Sequence, residues 1–252
     1  MAKMKACVAS LSSCFGCSVQ LFNLKENVME ILSGIDFVNF KLVGREDGEK
    51  YDITFIEGAV TTKEEIVKAK KFRENSKIVV ALGSCACNGC ALTVKNFRKN
   101  SENLVYGKNI FGSTSVEPLD KHIKVDFYLR GCPFNGDEAV DFLASMIRGK
   151  RWSEKEFSVC DECRKSGTDC LLLKGELCLG PIIRAGCGAI CARNGFPCAG
   201  CRGLAPDCNL SGFMETALKE TGLSRKDIEE KFQLYGLLEK VAEMMKNERN
   251  EG

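Results

Sequence analysis

Short apolar runs alternate with longer amphipathic runs along the first 150 residues. The apolar runs predict β-strands at Lys5–Ser10, Ile35–Leu42, Tyr51–Ile56, Lys77–Leu82 and Ile123–Leu129. Helices are predicted at Ser18–Leu32, where the apolar residues recur on one helical face, and at Thr62–Glu74 and Gly136–Ile147. Strands separated by helices indicate an α/β fold, with a parallel sheet that carries helices on both faces.

Cysteines follow three of the predicted strands directly. Cys14 and Cys17 come after the first strand, Cys85 after the fourth and Cys132 after the fifth. Ligands of parallel sheets sit outside the carboxyl ends of the strands. We therefore expect these four cysteines to converge on one edge of the sheet.

The pattern changes after about residue 150. Ser158–Cys208 holds nine cysteines, with glycine and proline interspersed and little periodicity. Two helical runs, near Gly212–Glu220 and Ser224–Lys246, follow it. A segment this irregular needs an internal scaffold, and metal clusters would provide one. We predict two domains, residues 1–150 and residues 151–252.

The composition narrows the class of protein. Apolar content of 44% and charged content of 28% are ordinary for a globular protein, and a net charge of +2 indicates no nucleic-acid partner. No apolar run is long enough to span a membrane, and no secretory signal is visible. The chain has sixteen cysteines and one histidine. We expect a cytoplasmic protein, where thiols stay reduced and clustered cysteines hold metal or do redox work.

The first group of candidate ligands is Cys14, Cys17, Cys85 and Cys132. Four thiolates that meet at one site satisfy the requirement of a four-iron cluster. The alternative is that each cysteine is buried as a small apolar residue. That alternative explains Cys7, inside a predicted strand, better than it explains four cysteines at loop positions beside glycines.

The second group contains eight cysteines, enough for two four-iron clusters. They are Cys160, Cys163, Cys170, Cys178, Cys187, Cys191, Cys198 and Cys201. Structural zinc is the alternative, because paired C-x2-C motifs bind zinc well. However, the two pairs are separated by 34 residues with four more cysteines, whereas zinc ribbons use about 15–20 residues between pairs. Disulfides are not expected in a reducing compartment.

Four cysteines and one carboxylate stand outside these groups. Cys87 and Cys90 lie close to Cys85, so an alternative ligand or a redox-active pair is one interpretation; simple packing is the other, as it is for Cys7 and Cys208. Glu57, at the end of a predicted strand, is a candidate to relay protons or to hydrogen-bond a cluster ligand. The alternative for Glu57 is a solvated loop carboxylate.

These motifs resemble those of nickel–iron hydrogenase small subunits. In order, they are Cys14-Phe-Gly-Cys17, Glu57-Gly-Ala-Val60, Gly83-Ser-Cys-Ala86 and Gly131-Cys-Pro133. Three motifs of the tail, Cys178-Leu-Gly-Pro181, Arg184-Ala-Gly-Cys187 and Pro197-Cys-Ala-Gly-Cys-Arg-Gly203, are similar to the cytoplasmic branch of that family. That branch includes sulfhydrogenase delta subunits and the gamma subunits of F420-reducing and non-reducing hydrogenases. The resemblance covers nearly the whole chain.

The resemblance implies a flavodoxin-like first domain and three 4Fe-4S clusters. The proximal cluster would be held by Cys14, Cys17, Cys85 and Cys132, close to the nickel–iron centre of a separate large subunit. Sequential blocks would hold the other two, with Cys160, Cys163, Cys170 and Cys178 for the distal cluster and Cys187, Cys191, Cys198 and Cys201 for the medial one. This partition is less certain than the set of eight, because ferredoxin-type clusters often exchange a ligand between runs.

The implied function is electron transfer within a hydrogenase, an oxidoreductase acting on H2. The chain would relay electrons between the large subunit and an acceptor subunit with flavin or iron–sulfur groups, and it would supply neither catalytic residues nor nickel ligands. Two features depart from the family pattern, namely Phe134 after Pro133 and the extra thiols Cys87 and Cys90.

Three other functions remain as alternatives. The first is a similar iron–sulfur relay in a redox complex that lacks nickel. The second, a relative of quinone reductases, is less favoured, because that lineage typically uses adjacent cysteines where this chain has Cys14-x-x-Cys17. The third is a zinc-stabilised interaction module.

Overall fold

The structure is a computed structural model, and it describes residues 3–24, 31, 33–46, 50–98 and 115–251, with side chains as far as residue 246. The chain divides into two compact units, Met1–Ser153 and Glu154–Gly252. Each unit has an apolar core of its own. Among the described helices, none has both the length and the apolar character needed to cross a membrane.

A six-stranded sheet forms the centre of the first unit. Its strands are β1 Met4–Ser10, β2 Ile35–Phe40, β3 Arg45–Glu46, β4 Tyr51–Glu57, β5 Ser76–Leu82 and β6 Phe127–Leu129. Their order is β3-β2-β1-β4-β5-β6, and all neighbours are parallel except β2 and β3. Apart from the two-residue β3, this is the strand order of flavodoxin-like sheets, with its switch point between β1 and β4. The predicted α/β class and its flavodoxin-like form are confirmed.

Helices cover both faces of this sheet. They are α1 Gly16–Phe22, α2 Lys63–Glu74, α3 Gly83–Asn88, α4 Val94–Phe97 and α5 Gly136–Ile147. Successive residues of β4 point to opposite faces, so Phe55 packs with Phe142 of α5 and Ile56 lies in the same core as Ala69 of α2. Strands of a sheet that is covered on both faces carry apolar side chains on both sides, which explains the continuous apolar runs in the sequence.

Two element boundaries of the first unit differ from the predictions. The predicted helix Ser18–Leu32 corresponds to α1, which ends at Phe22; residues 25–30 and 32 lie outside the described residues. The last strand begins at Phe127 rather than Ile123. Its late start follows from Asp126, whose carboxylate accepts a hydrogen bond of 2.8 Å from the Val79 amide and pairs with Arg73.

The second unit is built of short helices, loops and 3₁₀ turns. Its helices are α6 Val159–Lys165, α7 Ile190–Arg193, α8 Leu210–Thr221, α9 Arg225–Gln233 and α10 Leu238–Glu251. Leu179 and Ile182, from the cysteine-rich loops, share one core with Phe213 and Phe232 of the later helices. The irregular segment therefore has an apolar scaffold as well as its cysteines.

The prediction of one helix over Ser224–Lys246 is wrong. The run is divided into α9 and α10 by a turn at Gly236, whose φ of +68° is easily adopted only by glycine. After the turn, the Leu237 amide donates 2.9 Å to the Phe232 carbonyl, and the Leu237 side chain is fully buried. The turn thus allows two shorter helices to pack on the same core.

Candidate metal centres

The turn between β1 and α1 carries Cys14 and Cys17. Phe15, between them, has a left-handed φ of 61°, and its carbonyl accepts a hydrogen bond of 3.0 Å from the Val19 amide at the start of α1. A non-glycine residue in this region costs about 1–3 kcal/mol and persists only where its surroundings demand it. The turn leaves Cys14 exposed and Cys17 partly buried.

Glu57, at the end of β4, holds this turn. Its side chain is 1% exposed, so the interpretation as a solvated loop carboxylate is wrong. One carboxylate oxygen accepts from the hydroxyls of Ser18 at 2.7 Å and Ser10 at 3.0 Å. The other accepts from the Ser18 amide at 2.9 Å. A buried carboxylate therefore fixes the backbone directly after Cys17.

The ends of β5 and β6 meet the same turn. Gly83, with φ +80°, follows β5, and a Cβ atom built on it would lie 2.2 Å from the Cys17 sulfur. Only glycine permits this approach. The Ser84 amide donates 2.7 Å to the Gly131 carbonyl, so the loops that carry Cys85 and Cys132 are joined.

The four predicted ligands of the first unit are neighbours at this edge. The charges of Cys132 and Cys17 act on Cys85, and the charge of Cys14 acts on Cys17. The predicted convergence at the sheet edge is therefore present in the fold.

Cys90 also lies near these thiols. The sequence alone left its role undecided between a ligand and a packing residue. Cys90 begins a 3₁₀ turn, Cys90–Thr93, is 4% exposed, and interacts electrostatically with Cys85 and Cys132. Cys87 is also buried; its thiol donates to the Ala81 carbonyl at 3.7 Å and packs in the sheet core, and its charge acts on Cys17 as that of Cys14 does. The Gly89-Cys90 pair is the feature of the sequence that indicates this position of Cys90, because a glycine after a helix can reverse the chain.

Burial and close contact shift the acidity of these thiols. Burial raises the pKa of Cys17 to about 12, and the Glu57 charge adds to the rise. The hydrogen bond with Cys90, followed by burial, raises the pKa of Cys85, whereas hydrogen bonds from Cys132 and Cys85 lower the pKa of Cys90. Because iron binds thiolates, cluster binding at this site would release protons.

The first block of the second unit comes together as a set of four. Cys160 and Cys163 lie on α6, and a Cβ built on Gly180 would lie 3.3 Å from the Cys160 sulfur and 3.5 Å from the Cys178 sulfur. Burial raises the pKa of Cys160 to about 12, and the charges of Cys178, Cys170 and Cys163 add to the rise. All four predicted members are therefore neighbours.

Three members of the second block also come together. Burial raises the pKa of Cys198, and the charges of Cys178, Cys201 and Cys187 raise it further. The Cys198 amide donates 3.2 Å to the Cys178 sulfur, so the two blocks adjoin each other. Cys191 is exposed on α7.

Two charged side chains lie among these loops. Glu162, on α6 between Cys160 and Cys163, accepts from the Gly186 amide at 3.1 Å and from the Lys155 ammonium at 2.9 Å. Arg202 is 1% exposed, and its Nε donates 2.8 Å to the Ala185 carbonyl. Burial raises the pKa of Cys187, and the positive charge of Arg202 opposes that rise.

The remaining cysteines are structural in position. Cys7 is fully buried in β1, and burial raises its pKa to about 12. Cys208 packs against the core of the second unit. Sequence reasoning gave packing as the simpler interpretation for both, and their positions agree with it.

The donor chemistry fits iron–sulfur clusters. All sixteen cysteines carry free thiols. In the described parts of the chain, no three His, Cys, Asp or Glu side chains close around a point as a single metal ion requires. Groups made only of thiols at several loop ends are the donor sets that four-iron clusters use.

Comparison with known proteins places the chain in a family. The sequence profile described as "NADH ubiquinone oxidoreductase, 20 Kd subunit" matches residues 14–146, more than half of the chain. Sulfhydrogenase 2 subunit delta of Pyrococcus furiosus is 32% identical, over 86% of this chain and 93% of that protein. A vhu subunit of the F420-non-reducing hydrogenase of Methanocaldococcus jannaschii is 30% identical, over 79% of this chain and 82% of that protein.

A solved structure shares the fold over almost the whole chain. It is the actinobacterial-type NiFe-hydrogenase from Ralstonia eutropha H16, with a TM-score of 0.58 at 14% identity, covering 98% of this chain and 91% of that one. The resemblance to hydrogenase small subunits that we drew from the motifs is confirmed by these relatives. The chain belongs to the NADH ubiquinone oxidoreductase 20 Kd subunit family, within which the relatives described above are hydrogenase subunits.

Proposed function

We propose that this chain is the electron-transfer small subunit of a cytoplasmic nickel–iron hydrogenase. It would relay electrons between the H2-converting site of a large subunit and an acceptor subunit, through three 4Fe-4S clusters. The observation that supports this most is the meeting of Cys14, Cys17, Cys85 and Cys132 at the ends of three parallel strands. The name of the relative from Pyrococcus furiosus, a sulfhydrogenase subunit, supports the same class of reaction.

In the first unit, these four cysteines would hold the proximal cluster. The chain's own contribution is to fix where the thiols stand, because Glu57 anchors the backbone after Cys17 and Gly83 lets Cys17 approach the end of β5. When bound, a four-iron cluster takes up and releases single electrons at a potential set by burial, charge and hydrogen bonds to its sulfurs.

In the second unit, the sequential blocks remain our ligand assignment. Cys160, Cys163, Cys170 and Cys178 would hold the distal cluster, and Cys187, Cys191, Cys198 and Cys201 the medial one. The contact between Cys198 and Cys178 supports electron transfer between the two blocks, since it puts their ligands side by side.

An exposed apolar face beside Cys14 supports a protein partner. Phe15, Val19 and Phe22 are 41–48% exposed, and their spacing along α1 places them on one side of the helix. Exposed apolar patches of this kind mark interaction sites. We infer a hetero-oligomer in which the large subunit, with its nickel–iron centre, covers this face; an acceptor subunit with flavin or iron–sulfur groups would complete the path. A reducing compartment such as the cytoplasm suits a protein with this many free thiols.

The second candidate is an iron–sulfur relay in a complex without nickel. It is favoured by the family description, which names a subunit of a quinone oxidoreductase. The cysteines would have the same task in both cases. Only the partner and the reaction at the far end of the relay would differ.

Co-purification under anaerobic conditions tests the two candidates. We expect about 12 iron and matching sulfide per chain, nickel in the partner, and H2-dependent reduction of a dye. A complex with the iron and sulfide, but without nickel or dye reduction, would support the nickel-free relay. Purified protein with zinc but no sulfide would contradict both candidate functions and support a zinc-stabilised interaction module.

A further inference from the structure

We propose that Glu162 is a positioning residue for electron transfer in the second unit. Its carboxylate holds the loop of Cys187 against α6, and it thereby fixes where the medial ligands stand relative to the distal ones. The inference rests on the proposed function, because it needs iron in both blocks. It concerns a carboxylate that the cysteine motifs leave without a role.

Backbone pairing alone does not fix the two blocks against each other. Residues 157–159 pair with residues 183–185 through two backbone hydrogen bonds, of 2.8 and 2.9 Å, and through an isolated antiparallel bridge. Cys160 follows the first segment directly, and Cys187 follows the second after Gly186. Because the pairing is antiparallel, the chain leaves it towards these two cysteines in opposite directions. A further contact is therefore needed to hold the Cys187 loop near α6.

The backbone around Cys187 has unusual freedom. Glycines flank this cysteine on both sides, Gly186 with φ +121° and Gly188 with φ +63°. Both values lie in the region that glycine adopts readily and other residues rarely adopt. A loop of this kind keeps a ligand in one place only where other bonds restrain it.

Glu162 provides such a restraint. It lies on α6 between the first two ligands of the distal block, and its side chain is 10% exposed. One carboxylate oxygen accepts from the Gly186 amide at 3.1 Å and from the Lys155 ammonium at 2.9 Å. Hydrogen bonds to an ionised acceptor are stronger than bonds between neutral groups. The residue before Cys187 is thus tied to the helix of the distal block.

A second contact between the blocks makes this restraint effective. The Cys198 amide donates 3.2 Å to the Cys178 sulfur. One contact leaves two loops free to rotate about it, whereas two contacts between different members of the blocks remove most of that freedom. Since the rate of electron tunnelling falls steeply with distance, the two contacts together set how fast an electron passes between the clusters.

Asp161 shows what a carboxylate without this role looks like. It precedes Glu162 on α6 and lies between the same two cysteines, but its side chain is 44% exposed. Its partner is Lys165, at 2.7 Å and four residues further along the helix. An exposed pair of this kind contributes little to stability. Asp161 is therefore the matched control for Glu162.

The test replaces Glu162 in the complete complex, purified anaerobically. Glu162→Met and Glu162→Gln have similar length and no charge, but only glutamine offers an oxygen that can accept from the Gly186 amide. Rapid-freeze EPR after mixing with H2 follows the arrival of electrons in the two second-unit clusters. We expect Glu162→Met to keep about 12 iron per chain and to slow electron transfer between these clusters about 10-fold, because a displaced group is costly in rate. Glu162→Gln and Asp161→Asn should stay within about 3-fold of the unaltered chain.

Each other result has a definite meaning. An unchanged rate in Glu162→Met overturns the positioning role, and so does an equally slow rate in Glu162→Gln, because lost charge would then be the cause. An equal effect of Asp161→Asn overturns it as well. Loss of about four iron in Glu162→Met assigns the residue to cluster assembly instead and also overturns the proposal.

A further variant covers a failure of Glu162→Met to assemble with its partner. Glu162→Asp keeps the charge but is one methylene shorter, so it withdraws the carboxylate from the Gly186 amide and should slow the same step. A rate in Glu162→Asp equal to that of the unaltered chain overturns the proposal. Fewer than about 12 iron in the unaltered chain, or no reduction of its clusters by H2, contradicts the proposed function instead.

Discussion

The two cysteine-rich regions of this protein bring their thiols together by different routes. In the first unit, Cys14 and Cys132 are 118 residues apart in the sequence, and a parallel sheet brings their loops together. In the second unit, all eight candidate ligands fall between Cys160 and Cys201, in loops with two short helices. Apolar side chains pack on both faces of the sheet, so its two cores form without a contribution from the candidate ligand cysteines. The difference shows that one site is imposed by topology and the other by local sequence.

This contrast has an energetic consequence. Regular strands and buried apolar side chains stabilise the first unit, whereas the loops of the second unit rely on the later helices and on what their cysteines bind. Metal binding contributes folding free energy where ligands come from otherwise irregular segments. The predictions below test that contrast.

The largest expected effect follows from removing the iron. Anaerobic chelation should raise amide hydrogen exchange in residues 157–209 roughly 100-fold, corresponding to about 3 kcal/mol of local stability. Strands β1, β4 and β5 should change by less than about 3-fold, because their packing does not depend on the thiols. Hydrogen-exchange mass spectrometry measures both. Equal deprotection of the two regions would contradict the contrast.

An intermediate effect is expected for Gly83→Ala. The new Cβ would stand 2.2 Å from the Cys17 sulfur at a φ of +80°, so both strain and collision oppose it. We expect a loss of about 2 kcal/mol in unfolding free energy and of about four iron, with the second-unit clusters retained. Chemical denaturation and iron analysis provide the measurements.

Gly195→Ala is the matched control for Gly83→Ala. Gly195 also has φ +80°, but no atom lies within 4 Å of its added Cβ. It should cost only the backbone strain of about 1 kcal/mol and no iron. If both variants keep their iron, the close approach of Cys17 to the end of β5 is not what positions the first site.

The smallest effect concerns Arg202→Met. The buried guanidinium acts electrostatically on Cys187, and its positive charge favours the more negative, reduced form of a nearby cluster. Removing about 1 kcal/mol of this interaction should lower one reduction potential by about 40 mV. EPR-monitored redox titration measures the shift. Arg193→Met removes an equal charge at an exposed position and should change the potential by less than about 10 mV, because solvent screens it. Equal shifts of the reduction potential in the two variants would contradict a special effect of the buried position of Arg202.

Much of this architecture could be predicted from local patterns. Five parallel strands were found by their apolar runs, and Gly136–Ile147 was placed at both of its ends, because Asn135 caps it in the usual way. The break at Gly236 and the late start of β6 were missed. At Gly236 a left-handed glycine overrides the periodic signal, and before β6 the Asp126 carboxylate does so through its contacts with the distant residues Val79 and Arg73.

The sequence by itself determined the class of fold, the twelve candidate ligands and the edge of the sheet where four of them meet. Only the tertiary structure decided that Glu57 is buried and holds the backbone after Cys17, and that the Cys87 thiol donates to the Ala81 carbonyl in the sheet core. Periodicity states which residues are apolar and how they are spaced. The neighbours of a side chain depend on the order of the strands and on left-handed residues such as Gly89 and Cys90, and no local pattern carries that information.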